Sequence, residues 1–524
     1  MRFLVLLLPI GLFAGWAEET LEKMTLEEKV GQLIMAPACP KRGEDHWDDW
    51  MRILLEHHVG NAIAKQSDPI SQAAFLNRLQ EMSKLPLLIS GDTEWGLAMR
   101  MEGTMAFPKQ MTLGAVSDLS LIYEMGKEIG RQARCVGIHL CLAPVADVNH
   151  NPQNPIIHMR SFGEDAGEVA IRVSAYAKGL AEAGVMACAK HFPGHGDTSV
   201  DSHQDLPCIP YERERLEAVE WVPFKQAIDS GIGSVMSAHL LVPCLDGEFP
   251  FSLSPQLKKV LRKEMGFEGL IVSDALNMKA LSDRFSPEEA AVLTRRAGTD
   301  LLLYGDHIDP KVDALLKEMI PRACEALKKA YRSGDLDCND LDESVLRILR
   351  AKEKLGLHEV RFVPGGDLFP ESAVALKKRL FEEAVTLIGE LPELREGAAY
   401  LSFGDDDALG EKFSAVFEAP LQLDLENKNT LLEQLIPFDQ VVIALHQADL
   451  KAKNFGLSDE ALGLIKALAS RSILCHFASP YTILSHPSLL IAYENDPAAQ
   501  EAVCQTLKKA RKPNGSLPVA PLSR

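Results

Sequence analysis

The loop from Lys190 to His203 follows an apolar run at residues 184–189 and is dense in histidine and aspartate. Within it, Asp201 and His203 are two residues apart, so in an extended loop their side chains point to the same side. A carboxylate beside an imidazole fixes the ring tautomer and stabilises its protonated form, as a general acid and base requires. The pair therefore predicts proton transfer to or from a bound ligand.

A second candidate for chemistry is Asp274, which directly follows the apolar run Gly269–Ser273. At the end of a buried strand its carboxylate could act as a nucleophile or as a charged stabiliser. The alternative is an N-cap, a role that aspartate often fills at the start of a helix. A nucleophile at Asp274 needs a proton donor on the other side of the bond being broken, and His203 is the candidate.

Charged groups suited to a polyhydroxylated ligand lie in other loops that follow strand-like runs. Carboxylates and cationic side chains bind vicinal hydroxyls or an amide carbonyl through charge-assisted hydrogen bonds. The predicted binding residues are Asp92, Arg100, Arg160, Lys190, His191 and His195. For the two arginines, ordinary surface salt bridges are the alternative interpretation.

A metal site is the alternative use of the histidine-rich loop. Its possible ligands for Zn²⁺ are His191, His195, Asp197, Asp201 and His203. Metal-dependent barrels usually draw their ligands from several strands, however, and the ammonium group of Lys190 would repel a cation. We therefore predict catalysis without a metal ion or another cofactor, and a metal-dependent hydrolase stays open as an alternative.

Eight apolar strand-like runs alternate with amphipathic helix patterns over residues 20–355. The predicted strands are 31–35, 60–63, 86–90, 138–142, 184–189, 233–237, 269–273 and 300–303. Near-continuous apolarity is typical of parallel strands covered by helices on both faces. Polar residues repeatedly follow the strand ends, which favours a (β/α)₈ TIM-like barrel over an open sheet, because a barrel would bring them to one mouth. Capping-box sequences at Thr25–Glu28 and Ser286–Glu289 predict two helix starts.

The chain has 524 residues, too many for one ordinary core, so two domains are expected. We predict an α/β barrel domain over residues 18–355, a linker over 356–372 and a smaller C-terminal α/β sandwich domain over 373–524. The second domain is predicted from the strand-like runs 397–401, 441–445, 472–476 and 489–493.

Residues 1–17 have the pattern of a secretory signal peptide. A positive start and a short apolar core precede the small residues Gly15 and Ala17, which favour a cut before Glu18. The apolar core is too short to span a bilayer comfortably. We therefore predict an exported protein, periplasmic or secreted, and a cytoplasmic one if the signal is not used. A buried or amphipathic first helix is the alternative interpretation.

The formal net charge of −19 disfavours binding to nucleic acid or to anionic membranes, and no basic stripe offsets it. With 46% hydrophobic and 25% charged residues, the composition is that of a globular protein. Ten cysteines are scattered without a C-x-x-C pair, and their spacing does not determine whether any of them form disulfides.

Together these motifs resemble glycoside hydrolase family 3, and within it the β-N-acetylhexosaminidase branch that includes peptidoglycan-recycling enzymes. The run from Lys190 to His203 matches the signature of that branch, and Gly266–Asp274 matches the nucleophile segment of the family. The resemblance covers about residues 24–355 and continues more weakly to the end. One departure is Trp95, which stands where the family usually has a glycine and leaves the preferred aglycone open.

The resemblance implies a retaining exo-hydrolase that removes terminal β-linked N-acetylglucosamine from muropeptides or chitooligosaccharides. Asp274 would form a glycosyl-enzyme, and His203, paired with Asp201, would protonate the leaving oxygen and then activate water. The small saccharide would be the only partner, with no nucleic acid, no membrane span and a monomeric protein. Phosphorolysis is an alternative outcome, since a histidine that has given up its proton is neutral and does not repel an anionic acceptor.

Overall fold

The computed structural model describes residues 15–305, 314–403, 413, 420–422, 428–446, 456–482 and 485–520. Two parallel or mainly parallel sheets dominate this part of the chain, one of eight strands and one of six. Residues 1–14 of the predicted signal peptide lie outside the described residues.

The first sheet is the predicted barrel. Its strands are β1 Ile34–Ala38, β2 Asn61–Ala64, β3 Leu88–Gly91, β4 Leu140–Cys141, β5 Met186–Phe192, β6 Ser234–Ser237, β7 Leu270–Ser273 and β8 Leu302–Leu303. All neighbours pair in parallel in the order β7-β6-β5-β4-β3-β2-β1-β8, and a bridge between Val272 and Leu301 joins the two ends. The strands are almost wholly buried, as their apolar sequences require. The prediction of an α/β barrel is confirmed.

Two α-helices precede β1, and the other α-helices of the barrel unit lie between or after the strands. They are α1 Trp16–Glu22, α2 Leu26–Gln32, α3 Gly43–His57, α4 Pro69–Met82, α5 Gln110–Gly114, α6 Leu119–Cys135, α7 Ala166–Glu182, α8 Arg213–Arg215, α9 Val222–Asp229, α10 Gln256–Lys258, α11 Lys279–Ser282, α12 Pro287–Arg296, α13 Ile320–Ser333 and α14 Cys338–Lys354. Both predicted capping boxes are present, at the start of α2 and of α12. The local sequence therefore places these two helix starts correctly.

The predicted first strand, 31–35, begins too early. Gly31 and Gln32 belong to α2, and β1 begins at Ile34. A side chain at Gly31 would meet the backbone carbonyls of His57 and His58 at the end of α3. The glycine permits this close approach between a helix and the end of its neighbour, and it does not mark the start of a strand.

The second sheet contains β9 Thr386–Gly389, β10 Ala399–Phe403, β11 Pro420–Gln422, β12 Val441–Leu445, β13 Ser472–His476 and β14 Ser488–Ile491. Its order is β11-β10-β12-β13-β14-β9, and only the pair β9–β14 is antiparallel. The accompanying helices are α15 Glu371–Ala384, α16 Lys428–Leu435, α17 Asp459–Leu468 and α18 Pro497–Leu507. The four predicted strands are present, and the sequence interpretation missed the two short edge strands, β9 and β11.

The two sheets belong to units that pack against each other. Helix α15 contacts α5 and α6 of the barrel, and Ser516 N donates to Ala115 O at 3.1 Å. Gly163 has a φ of +149°, and a side chain there would collide with the carbonyl of Pro518. The last described residues of the chain therefore lie directly on the loop that follows β4.

Helix α1 packs against α14, the last helix of the barrel unit. Trp16 N donates to Glu353 Oε1 at 2.7 Å, and Ala17 is fully buried. The predicted cut between Ala17 and Glu18 falls inside this helix. No helix among the described residues is long and apolar enough to cross a membrane. The ten cysteines, all of them described, are free thiols in this structure.

Candidate active site

The polar residues that follow the strands do converge on one mouth of the barrel. At the carboxyl ends of β3 to β7 lie Asp92, Asp147, Lys190, His191, His239 and Asp274. The carboxyl ends of the strands are where α/β barrels carry their active sites, because eight loops meet there around a fixed frame. This mouth is the candidate active site.

Asp274 sits immediately after β7, and its backbone N–H bonds to Ser237 O at the end of β6. Burial by itself would raise the pKa of the Asp274 carboxyl. The nearby imidazoles of His191, His239 and His203, together with the N–H of Ala275, outweigh it and hold the pKa well below its ordinary value. The following helix starts at Lys279 with Met278 as its N-cap, so the N-cap alternative for Asp274 is wrong. Asp274 is therefore a carboxylate available as an anion.

Asp201 and His203 form the pair that their spacing predicts. His203 Nδ1 lies 2.7 Å from Asp201 Oδ1, which also accepts the backbone N–H of His203 at 2.9 Å. Burial would raise the pKa of Asp201, but these bonds from His203 lower it. With Nδ1–H held by the carboxylate, Nε2 is the nitrogen suited to exchange a proton with a ligand.

Buried hydrogen bonds hold the loop that carries Asp201 and His203. His195 is buried, and its ring nitrogens contact Thr198 Oγ1 at 2.8 Å and Ser202 Oγ at 3.3 Å. Ser202 O accepts the N–H of Ala280, in the helix after Asp274. His203 is among the imidazoles that lower the pKa of Asp274, so these two predicted catalytic residues lie near each other at the mouth. The structure thus shows His195 bonded within the loop, and its contact with the sugar stays a prediction.

The predicted binding residues Asp92, Arg100 and Lys190 form one network. Arg100 Nε and Nη2 donate to Asp92 Oδ2 at 2.9 and 2.7 Å. Lys190 Nζ lies 3.5 Å from the other carboxylate oxygen, and the buried Lys65, which the sequence interpretation missed, lies 3.7 Å from Oδ2. Asp92 therefore orients Arg100 at the site. The alternative interpretation of Arg100 as part of an ordinary surface salt bridge is wrong.

Glu94 lies at the centre of the charged network, and the sequence interpretation did not include it among the site residues. It accepts two hydrogen bonds from Arg160, at 2.9 and 2.7 Å, and lies 2.8 Å from Lys190 Nζ. Burial would raise the pKa of Glu94, but the charges of Arg160 and Lys190 lower it to about 2. A usable signal was its position two residues after Asp92 in the same loop.

Asp147 bonds to His191 and His195, and it too was missing from the predicted site. Its Oδ2 lies 2.7 Å from His191 Nδ1, and its Oδ1 accepts the backbone N–H groups of His191 and His195. Burial would raise the pKa of Asp147, but the two imidazoles lower it. The other ring nitrogen of His191 lies 3.4 Å from Arg160 Nη2. His191 and Arg160 are therefore neighbours at the barrel mouth.

The residues weighed as a metal site do not gather around one point. His195 is bonded within its own loop, and Asp197 Oδ2 accepts the hydroxyl of Tyr211 at 2.7 Å. Among the residues that the structure describes, no group of three or more His, Cys, Asp or Glu side chains is arranged to hold a metal ion. The geometry gives the metal-dependent alternative no support.

Replacement of Glu94 by glutamine tests the network of buried charges. Because the pKa of Glu94 is about 2 in the fold against an ordinary 4.5, its ionisation contributes stability above about pH 4.5 that disappears as the pH falls toward 2. We expect Glu94→Gln to lower the free energy of unfolding at pH 7 by about 3 kcal/mol, and this deficit to narrow below pH 4.5. Urea unfolding at several pH values measures it.

The matched control for that measurement is Glu102→Gln. Glu102 lies in the same loop, is 75% exposed and pairs only at the surface with Lys41. Exposed pairs of this kind contribute less than about 1 kcal/mol. Equal unfolding curves for the two variants at pH 7 would contradict the role given to Glu94.

Comparison with known proteins identifies the family of this chain. Residues 25–351 match the model of the glycosyl hydrolase family 3 N-terminal domain. This segment covers more than half of the chain and includes every site residue described above. The chain belongs to glycosyl hydrolase family 3, as its motifs predicted.

Two proteins with similar sequences are both named as beta-hexosaminidases. The chain is 36% identical over 323 residues to beta-hexosaminidase A of Pseudoalteromonas piscicida, a match of 58% of this chain and 53% of that protein. It is 33% identical over 314 residues to beta-hexosaminidase LpqI of Mycobacterium tuberculosis, a match of 58% and 78%. The chain thus spans about half the length of the first of these relatives.

A solved structure resembles nearly the whole chain. It is a glycoside hydrolase family 3 beta-N-acetylglucosaminidase from Paenibacillus sp. str. FPU-7, with a TM-score of 0.79 and 32% sequence identity. The match covers 95% of this chain and 99% of that one. Both units of the present fold are therefore found together in that structure.

Proposed function

We propose that this protein is a retaining exo-β-N-acetylglucosaminidase that uses Asp274 as its nucleophile and the His203–Asp201 pair as its acid and base. The observation that carries the proposal is the placement of an anionic aspartate and a carboxylate-bonded histidine at one barrel mouth. The choice of N-acetylglucosamine as the sugar rests on the similarity to proteins named beta-hexosaminidase and beta-N-acetylglucosaminidase.

In the first step, an oxygen of the Asp274 carboxylate bonds to the anomeric carbon of the terminal sugar. The bond from that carbon to the glycosidic oxygen breaks, and the leaving oxygen takes the proton from His203 Nε2. Asp201 stabilises the imidazolium before this transfer and keeps Nδ1 protonated after it. The products are a glycosyl-enzyme ester and a neutral alcohol.

In the second step, the neutral imidazole of His203 accepts a proton from water as the water oxygen attacks the anomeric carbon. The ester bond to Asp274 breaks, and the aspartate leaves as a carboxylate. Two inversions at the same carbon give overall retention of the β configuration. The low pKa of Asp274 suits both roles, because the carboxylate attacks as an anion and leaves as one.

The charged network at the mouth holds the sugar in this scheme. A carboxylate fixes the orientation of Arg100, and another fixes that of Arg160. N–H groups that these carboxylates do not use are then oriented to donate to hydroxyl or carbonyl oxygens of the sugar. Fixed donors lose little side-chain entropy on binding, so they favour one orientation of the sugar ring. Muropeptides and chitooligosaccharides are the proposed natural sources of the terminal N-acetylglucosamine.

A substrate panel tests the proposal with the full chain. The 4-nitrophenyl β-glycosides of N-acetylglucosamine and of glucose are compared, followed by chitobiose and an anhydromuropeptide. We expect release of N-acetylglucosamine, first as the β anomer by NMR, with no loss of rate when a chelator is added. Preference for the glucoside, or the α anomer as the first product, contradicts the proposal. Faster turnover with added phosphate and formation of a sugar 1-phosphate would identify a phosphorylase.

A further inference from the structure

The turn that carries Arg160 has little regular structure to hold it. Between β4 and α7 the chain forms only one short 3₁₀ turn, His158–Arg160. Within it, His158 has a φ of +42°, a left-handed conformation that residues other than glycine rarely adopt. A conformation of this kind persists only where surrounding contacts enforce it. The contacts around His158 therefore help to place the backbone of Arg160, whose guanidinium also bonds to Glu94.

Part of those contacts comes from the barrel itself. Asn149 Oδ1 accepts the backbone N–H of His158 at 3.0 Å, and Asn154 Oδ1 accepts the N–H groups of Ile156 and Ile157. These two asparagines give the loop its local shape. Asn149 is itself held inside the barrel unit, since its N–H donates to Gly163 O at 2.9 Å and its Nδ2 donates to Asn151 O at 3.1 Å. None of these bonds involves the imidazole of His158.

The second unit adds contacts to the same loop through Ser479 and Tyr481, at the turn Pro480–Thr482. Tyr481 OH donates to Asn149 O at 3.1 Å and accepts a hydrogen bond from Asn149 Nδ2 at 2.8 Å. Ser479 Oγ lies 3.0 Å from His158 Nε2, and the rings of His158 and Tyr481 are 5.4 Å apart. The Asn149 side chain therefore bonds to both units: its Oδ1 accepts the N–H of His158, and its Nδ2 donates to Asn151 O and to Tyr481 OH.

An apolar cluster reinforces the same junction. Met111, Tyr481 and Val519 pack together in the seam between the two units, and Met159 packs against them. Met159 is the residue immediately before Arg160. Burial lowers the pKa of His158 to about 4, with Lys109 adding to the effect, so this ring is neutral near pH 7. Two neighbouring side chains of the turn, His158 and Met159, therefore contact residues of the second unit.

We propose that Tyr481 and Ser479 are positioning residues for Arg160, so that the second unit forms part of the sugar-binding site without touching the sugar. This inference rests on the proposed function, in which Arg160 binds the terminal sugar. The two residues act through Asn149 and His158, and the effect reaches the ligand only through Arg160.

Steady-state kinetics on 4-nitrophenyl β-N-acetylglucosaminide test the proposal. We expect Tyr481→Phe combined with Ser479→Ala to raise KM about tenfold and to change kcat less than about twofold, because a misplaced binding group weakens association without removing a reacting group. In an Arg160→Ala background the same two changes should have no further effect on KM, since residues that act through one group are not additive. The matched control is Tyr493→Phe, whose hydroxyl bonds to Thr386 inside the second unit.

Hydrogen exchange measured without substrate separates this inference from the proposed function. Amides in residues 149–162 should exchange faster in the Tyr481 and Ser479 variant than in the parent protein or in Tyr493→Phe. A parent protein that releases no N-acetylglucosamine would overturn the proposed function, while the exchange result would still report on the junction. Unchanged exchange in that segment, or a KM effect that persists in full without Arg160, would overturn the positioning role.

Discussion

Replacement of Asp274 by alanine should lower kcat/KM for 4-nitrophenyl β-N-acetylglucosaminide by about 10⁴-fold or more, since the variant lacks the group that forms the covalent intermediate. The parent carboxylate is half-buried and lies in the field of the imidazoles of His191, His239 and His203, so its replacement removes a negative charge from among these rings. Initial rates of nitrophenol release at substrate concentrations well below KM measure the effect.

Sodium azide distinguishes loss of the nucleophile from loss of the fold. Azide is small and anionic, so in Asp274→Ala it can occupy the space of the carboxylate and attack the anomeric carbon. Rate recovery with formation of the α-configured glycosyl azide is the expected result. Asp283→Ala, an exposed aspartate shortly after Asp274, should behave like the parent protein. Retention of full activity by Asp274→Ala without azide would exclude it as the nucleophile.

The second large effect is expected at His203. Replacement by alanine should lower turnover of alkyl glycosides and chitobiose by roughly 10²- to 10⁴-fold, because their leaving oxygens require a proton as the bond breaks. A 2,4-dinitrophenyl glycoside needs no such proton, so its first step should be nearly unaffected. The intermediate should then accumulate and give a burst of dinitrophenol, since no base activates water in the second step.

The comparison across leaving groups is the decisive part of this experiment. Asp201→Asn should show the same dependence on the leaving group with a smaller loss, because the amide still contacts Nδ1 but carries no charge to stabilise the imidazolium. His150→Ala removes an exposed histidine from a neighbouring loop and serves as the control. A loss of rate that is equal for good and poor leaving groups would exclude proton donation by His203.

The lowered pKa values of the site carboxylates limit which group can cause an acidic limb in the pH–rate profile. Since the pKa of Asp274 lies well below its ordinary value, the nucleophile stays ionised throughout the acidic range in which enzymes are usually assayed. An acidic limb in the rate profile therefore belongs to another group. The neighbouring carboxylates Asp147 and Glu94 also have lowered pKa values, so the site keeps its carboxylates charged as the pH falls.

The sequence by itself determined the features that depend on local spacing. Apolar runs of strand length alternating with helix patterns identified the barrel, and two capping boxes marked the starts of α2 and α12. The contact between Asp201 and His203 was also predictable, because residues two apart in an extended loop meet whatever surrounds them. The beginning of β1 was misplaced, since Gly31 serves a contact with α3 that no local pattern reveals.

Only the tertiary structure decided which charges and loops meet. Glu94 pairs with Arg160 and Lys190, 66 and 96 residues along the chain, and burial makes that pairing necessary because an isolated charge inside the mouth would be too costly. Tyr481 reaches Asn149 across 332 residues for the same reason, since buried polar groups must find partners wherever the packing brings them. Spacing along the chain governs local hydrogen bonds, whereas burial governs distant ones, and burial is known only once the chain is folded.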